Sequence, residues 1–140
     1  MNEVKDIVNI ETLAESMKAF EKVDVACRHR FTPGMYIREV TMPTGLLVVS
    51  MKHLTEHPFV ISKGRVKVFS ENEGAVIYEA PYTGITQADT QRALLILEET
   101  VWTTFHATDE TDVEKIVSEI TEPNEDRLLN QWRDSLPWPS

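Results

Sequence analysis

At 140 residues and 41% apolar composition, the chain is long enough to build one compact domain with a real core and too short for two independent ones. A formal charge of −9 and a pI near 4.9 exclude the basic stripe with which nucleic-acid binders neutralise phosphates. The longest apolar run, Ala93-Leu94-Leu95-Ile96-Leu97, is far short of the roughly 20 residues a membrane helix needs, so neither nucleic acid nor membrane is expected as a partner.

The first ten residues lack a basic start followed by an apolar stretch and do not read as a signal peptide. Ile10, Leu13, Met17 and Phe20 then recur at helical spacing behind the Thr12-x-x-Glu15 capping box, which predicts a helix over residues 10 to 21. Cys27 is the single cysteine and cannot close an intrachain bridge, which fits a reducing compartment and a soluble, cytoplasmic protein. Arg28-His29-Arg30 reads as a small solvated basic cluster ahead of a Pro33-Gly34 turn.

Beyond that turn the period changes from helical to alternating. Met35–Met42, Leu46–His53, Pro58–Lys63, Arg65–Ser70, Ala75–Ala80, Arg92–Leu97 and Val101–His106 are short, rich in β-branched and aromatic residues, and separated by turn residues. Such spacing predicts a sandwich or barrel. Thr111-x-x-Glu114 opens a second helix whose apolar stripe is Val113, Ile116, Val117 and Ile120, stopped before Pro123. A last helical segment is predicted around residues 125–132, and Pro137-Trp138-Pro139 ends the chain irregularly. The resulting division is an N-terminal helical extension (1–34), a β-barrel (35–106) and a C-terminal helical tail (107–140), together one compact domain.

The segment from Gly45 to Gly64 carries His53 and His57 at the turn between two strand-like runs. It resembles the first motif of the cupin superfamily (RmlC-like jelly rolls), G-x5-H-x-H-x3-4-E-x6-G. Counting back from Gly64, His57 stands at the position of the motif's Glu, His53 at its second His and Met51 at its first. The second motif, G-x5-P-x-G-x2-H-x3-N, corresponds to Ala80–Leu97, where Ala88-Asp89 replaces the proline-glycine step and Arg92 falls on the His position. The resemblance spans about residues 35 to 106 and implies a mainly β fold, a double-stranded β-helix barrel flanked by helices. The closing strand V-W-T-T-F-H-A-T-D-E is similar in phrasing to small cupin-like proteins of bacteriophage genomes, which would place the protein in a host cytoplasm.

Two of the usual ligand positions are thus taken by Met51 and Arg92, and a guanidinium in the barrel repels a dication while holding a carboxylate or phosphate through paired hydrogen bonds. The expected function is therefore binding of a small anion, of nucleotide or sugar-phosphate type, by His53, His57 and Arg92, with Tyr82, Gln91 and Thr104 as polar neighbours and Trp102 as a stacking wall. No cofactor is expected in that reading. The rival is a metal-dependent cupin enzyme, of dioxygenase or isomerase type, in which His53, His57 and His106 hold a divalent ion and His53 carries protons. A third reading is a viral interaction or structural protein whose tail docks a partner through Trp132 and Trp138. The resemblance, with two amphipathic helices, also implies a homodimer. No nucleophile elbow, Gly-rich phosphate loop or calcium loop occurs in the sequence.

Overall fold

The computed structural model describes residues 25–50, 52–71 and 73–121. The helix expected over residues 10 to 21, the segment 125–132, Trp132 and Trp138 lie outside these. The described chain forms seven strands and one helix: β1 (Ala26–Thr32), β2 (Met35–Met42), β3 (Leu47–Val49), β4 (His57–Ser70), β5 (Gly74–Glu79), β6 (Tyr82–Thr86), β7 (Arg92–Ala107) and α1 (Val113–Ile120). All pairings are antiparallel. The order is β1-β2-β7-β4-β5, with β3 added to β7 and β6 to β4.

Period-2 alternation sets the inner face. Along β2, Tyr36, Arg38, Val40 and Met42 are buried while their neighbours are half-exposed. The register carries this face from strand to strand: Val40 lies opposite Trp102 and Trp102 opposite Ile61, while Arg38 lies opposite Thr104 and Thr104 opposite Phe59. Thr86 of β6 lies opposite His57. The core that results contains Val40, Met42, Phe59, Ile61, Val66, Val68, Leu94, Ile96 and the fully buried Trp102.

The two longest strands bend to serve both halves of the barrel. The first half of β7 pairs with β3 and with the second half of β4, and its second half pairs with β2 and the first half of β4. On β4 the inward residues are His57, Phe59 and Ile61, then Val66, Val68 and Ser70, so the inward parity changes between them. The step from Ile61 to Val66 faces the step from Trp102 to Ile96, a one-residue mismatch absorbed by a bulge. Gly64, at φ 96°, is the residue that permits it, because a Cβ there would collide with the backbone oxygen of Glu99. Outside the bend, Lys63 pairs with Glu99 at 2.6 Å and Arg65 with Glu98 at 3.3 Å.

The sequence-based segmentation differs from this at definite points. Pro58–Lys63 and Arg65–Ser70 are one strand, as are Arg92–Leu97 and Val101–His106. β6 is an additional strand. β1 lies within the 1–34 stretch, because Cys27, His29 and Phe31 share the face of Val40, Arg38 and Tyr36. His29 is accordingly hydrogen-bonded, its Nδ1 2.6 Å from the Tyr36 hydroxyl. The Pro33-Gly34 turn stands as expected, with Gly34 at φ 79°.

The helix α1 forms where its apolar stripe predicts, and Ile116 and Val117 are buried. Its N-cap is Asp112, one residue after the expected Thr111: the Asp112 carboxylate accepts from Glu114 N at 3.0 Å. The far end of α1 is tied to the barrel. Leu54 N donates to Ile120 O at 2.7 Å, and His53 bridges both Thr90 and Thr121.

Candidate functional site

The inner face that builds the core also brings the polar residues of the sequence into one region. His53, His57 and His106 are 2, 2 and 3% exposed, and Arg38 and Arg92 are 2 and 4% exposed. No aspartate or glutamate among the described residues is buried. In a chain of formal charge −9, the charged side chains buried among the described residues are therefore the cation-forming ones.

Each histidine has a distinct setting. His57 opens β4 and gives its Nδ1 hydrogen to Thr55 O at 3.0 Å, which fixes its tautomer and leaves Nε2 as a buried lone pair without a partner. His106 places Nε2 2.9 Å from Thr104 Oγ1, and its Nδ1 is buried without a partner. The rings meet one another: His53 stands edge-on to His57 at a centroid distance of 4.9 Å, and His57 lies tilted against His106 at 4.3 Å. Tyr36 stacks on the far side of His106 at 5.8 Å and takes a hydrogen bond from Arg38 at 3.2 Å.

Burial lowers the pKa of His106 and of His57. The His106 pKa is pushed down to about 3, first by desolvation and then by the fields of His57, His53 and Arg38. His57 is also lowered, by desolvation and then by Arg92, against an opposing pull from its bond to Thr55.

The Arg92 side chain crosses the barrel. Its Nη1 donates to Thr86 Oγ1 at 2.5 Å, its guanidinium carbon lies 5.1 Å from the centre of the Phe59 ring, and its Nε is buried without a partner. The Tyr78 hydroxyl donates to Glu73 Oε1 at 2.9 Å, and the Tyr78 ring tilts against the same Phe59 ring at 6.1 Å. Burial pulls the arginine pKa down, while Tyr78, Glu73 and Tyr82 oppose that pull.

Of the residues singled out in the sequence, His53, His57, His106, Arg92 and Thr104 are brought together in the interior. Trp102 is fully buried and stacks on Phe59 at 4.7 Å, so it supports the wall on which Arg92 lies. Tyr82 stacks on Tyr78 at 4.3 Å and is partly exposed at the edge of the same aromatic row. Gln91 points elsewhere: its amide donates to Ser50 O at 2.9 Å and fastens β7 to the end of β3. Arg38, Tyr36, Thr86, Tyr78 and Glu73 belong to the region and were not singled out. Period 2 marks Arg38 and Tyr36 as sharing the face of Val40, but only the register reveals that this face is internal.

Among the described residues no three His, Cys, Asp or Glu side chains are grouped to hold a metal ion. The bonds of His57 Nδ1 to Thr55 and of His106 Nε2 to Thr104 leave His57 Nε2 and His106 Nδ1 as the nitrogens that would face a divalent ion in the rival reading. A separate groove of about 730 Å³ on the outer surface, lined by Arg30, Ile37, Glu39, Val60 and Phe105 among others, excludes the interior cations.

No family model matches the sequence, and no curated protein matches it. Solved structures do resemble the fold. A RmlC-like cupin family protein from Methanocaldococcus jannaschii with a double-stranded β-helix fold aligns with a TM-score of 0.53, over 71% of this chain and 91% of the other, at 12% identity. A cupin superfamily protein from Desulfitobacterium hafniense aligns at 0.53 over 64% and 82%, at 10% identity. A DMSP lyase from Ruegeria pomeroyi aligns at 0.53 over 64% of this chain and 50% of the lyase, at 15% identity. The barrel described above thus shares the double-stranded β-helix fold of these cupin structures.

Proposed function

We propose that the protein is a cupin-like binding module that holds a small anion, of nucleotide or sugar-phosphate type, at the histidine- and arginine-lined end of its barrel. The observation that carries this reading is the Arg92 guanidinium, buried among Phe59, Thr86 and Tyr78 in an interior whose described residues include no buried carboxylate. A buried cation of this kind is costly to desolvate unless an anion or a full set of acceptors repays it. Its planar fork is suited to an oxyanion, which it engages through parallel hydrogen bonds. His57 Nε2 and His106 Nδ1 supply two further ring nitrogens that become donors once protonated.

The test is calorimetric titration with inorganic phosphate, a nucleoside monophosphate and a hexose phosphate, on wild type and Arg92→Gln. Saturable binding of at least one of them to wild type, lost in a variant that keeps its circular dichroism spectrum, supports the reading. Equal binding to both proteins would place the anion elsewhere.

A further inference from the structure

The turn between β4 and β5 carries an acid toward this site. Glu73 N donates to Ser70 Oγ at 3.2 Å, and Ser70 is the residue paired with Arg92 across β4 and β7. The carboxylate takes the Tyr78 hydroxyl at 2.9 Å, and Tyr78 and Arg92 both lie against the Phe59 ring, at 6.1 and 5.1 Å from its centre. One aromatic pair therefore stands between an exposed carboxylate and the buried arginine. The field of Glu73 also opposes the lowering of the Arg92 pKa. Glu73 itself lies on the surface, where its side chain is free to turn toward solvent.

We infer that Glu73 is a built-in competitor for the oxyanion: its carboxylate holds the Tyr78 hydroxyl and offsets the charge of Arg92, and a bound oxyanion takes over both partners. This inference rests on the anion reading of the same site. It follows from what the groups can do at once. A phenol has one hydrogen, so Tyr78 donates either to Glu73 or to a ligand. A second negative charge beside Glu73 is repelled until the Glu73 side chain swings outward. The affinity measured in solution is then the intrinsic affinity reduced by the free energy of that displacement. Glu73 thereby sets a threshold that a weakly held anion fails to cross.

The experiment is a titration of four purified proteins with inorganic phosphate: wild type, Glu73→Gln, Arg92→Gln and the double variant. The expected result is that Glu73→Gln binds phosphate at least about fivefold more tightly than wild type, in the usual range of coupling between two sites. Arg92→Gln binds none, and the double variant matches Arg92→Gln. Glu71→Gln, two residues away on the same surface, removes the same formal charge and is expected to give less than half of that gain. Equal or weaker binding by Glu73→Gln, with binding lost in Arg92→Gln, removes the competitor and leaves the anion site standing. A gain as large in Glu71→Gln reduces the effect to net charge and likewise removes it. Phosphate held as well by Arg92→Gln as by wild type, or held by none of the proteins including Glu73→Gln, overturns the anion reading and this inference with it.

Discussion

Arg92 opens β7 and Thr86 closes β6, strands that share no ladder, yet the arginine Nη1 reaches the threonine Oγ1 at 2.5 Å. The guanidinium joins two walls of the barrel through one neutral hydroxyl. A fold that needed a strut here would be served as well by a leucine or methionine, which carries no desolvation penalty.

Replacing Arg92 by methionine is accordingly expected to leave the unfolding free energy unchanged or to raise it by up to about 2 kcal/mol, while oxyanion binding disappears. Urea unfolding monitored by circular dichroism gives the first quantity and calorimetry the second. A loss of more than about 2 kcal/mol would make Arg92 a structural residue and remove the main reason for a binding site.

The bend in β4 gives a paired prediction. Gly64→Ala meets both a positive φ of 96° and the Glu99 backbone, whereas Gly45→Ala, at φ 89°, meets open space. The second should cost about 1–2 kcal/mol, the penalty of a left-handed residue with a Cβ, and the first clearly more, because strands β4 and β7 must separate to admit the methyl group. Equal costs at the two positions would mean that the close approach at Gly64 is not a constraint.

How far the sequence reveals this molecule can be judged at the same places. The alternation in Met35–Met42 is unbroken and its bounds are those observed, because β2 has one wet and one dry face throughout. Gly64 and the Glu98-Glu99 pair read as strand ends, but in the sheet they mark a bend, with the charged residues paired across it. Arg28 and Arg30 hide β1, since they point toward Glu39 while Cys27, His29 and Phe31, of which only Cys27 is half-buried, lie on the face of Val40, Arg38 and Tyr36. Gly84 hides β6: it is there to make room for the Phe59 ring, which a Cβ would strike. At the site, the histidines and Arg92 are visible as residue types, whereas Arg38 and Tyr78 become partners only through register and tertiary contact.

The cap of α1 offers a second pair. Asp112→Ala removes the acceptor for Glu114 N and should lower stability by about 1 kcal/mol, while Thr111→Ala, at the position that the capping-box pattern points to, should change it by less than about 0.5 kcal/mol. Thermal unfolding of both variants checks this, and the reverse order would put the helix start one residue earlier.

The histidines give the last prediction, and its sign follows from their neutral state in the fold. His106 has an unfolded pKa of 6.5 and a folded one of about 3, so between these values the unfolded chain binds the extra proton and the folded chain does not. Stability from this group is complete above about pH 6.5 and is lost as the pH falls toward 3, at about 1.4 kcal/mol per pH unit where the one-proton difference is full. His57, also lowered, acts in the same direction. Oxyanion binding responds oppositely: protonation turns the lone pair of His57 Nε2 into a donor, so affinity rises as the pH falls. Because desolvation and Arg92 hold the pKa of His57 down, that rise is expected below the usual imidazole value of 6.5, not at it. Urea unfolding and phosphate titration from pH 4.5 to 8 on wild type, His106→Asn and His57→Gln measure both trends. His106→Asn should flatten the stability profile, and His57→Gln should flatten the binding profile. An imidazole resonance of His106 that titrates near 6.5 by NMR would show that the ring is hydrated, and the buried cluster would then have to be redrawn.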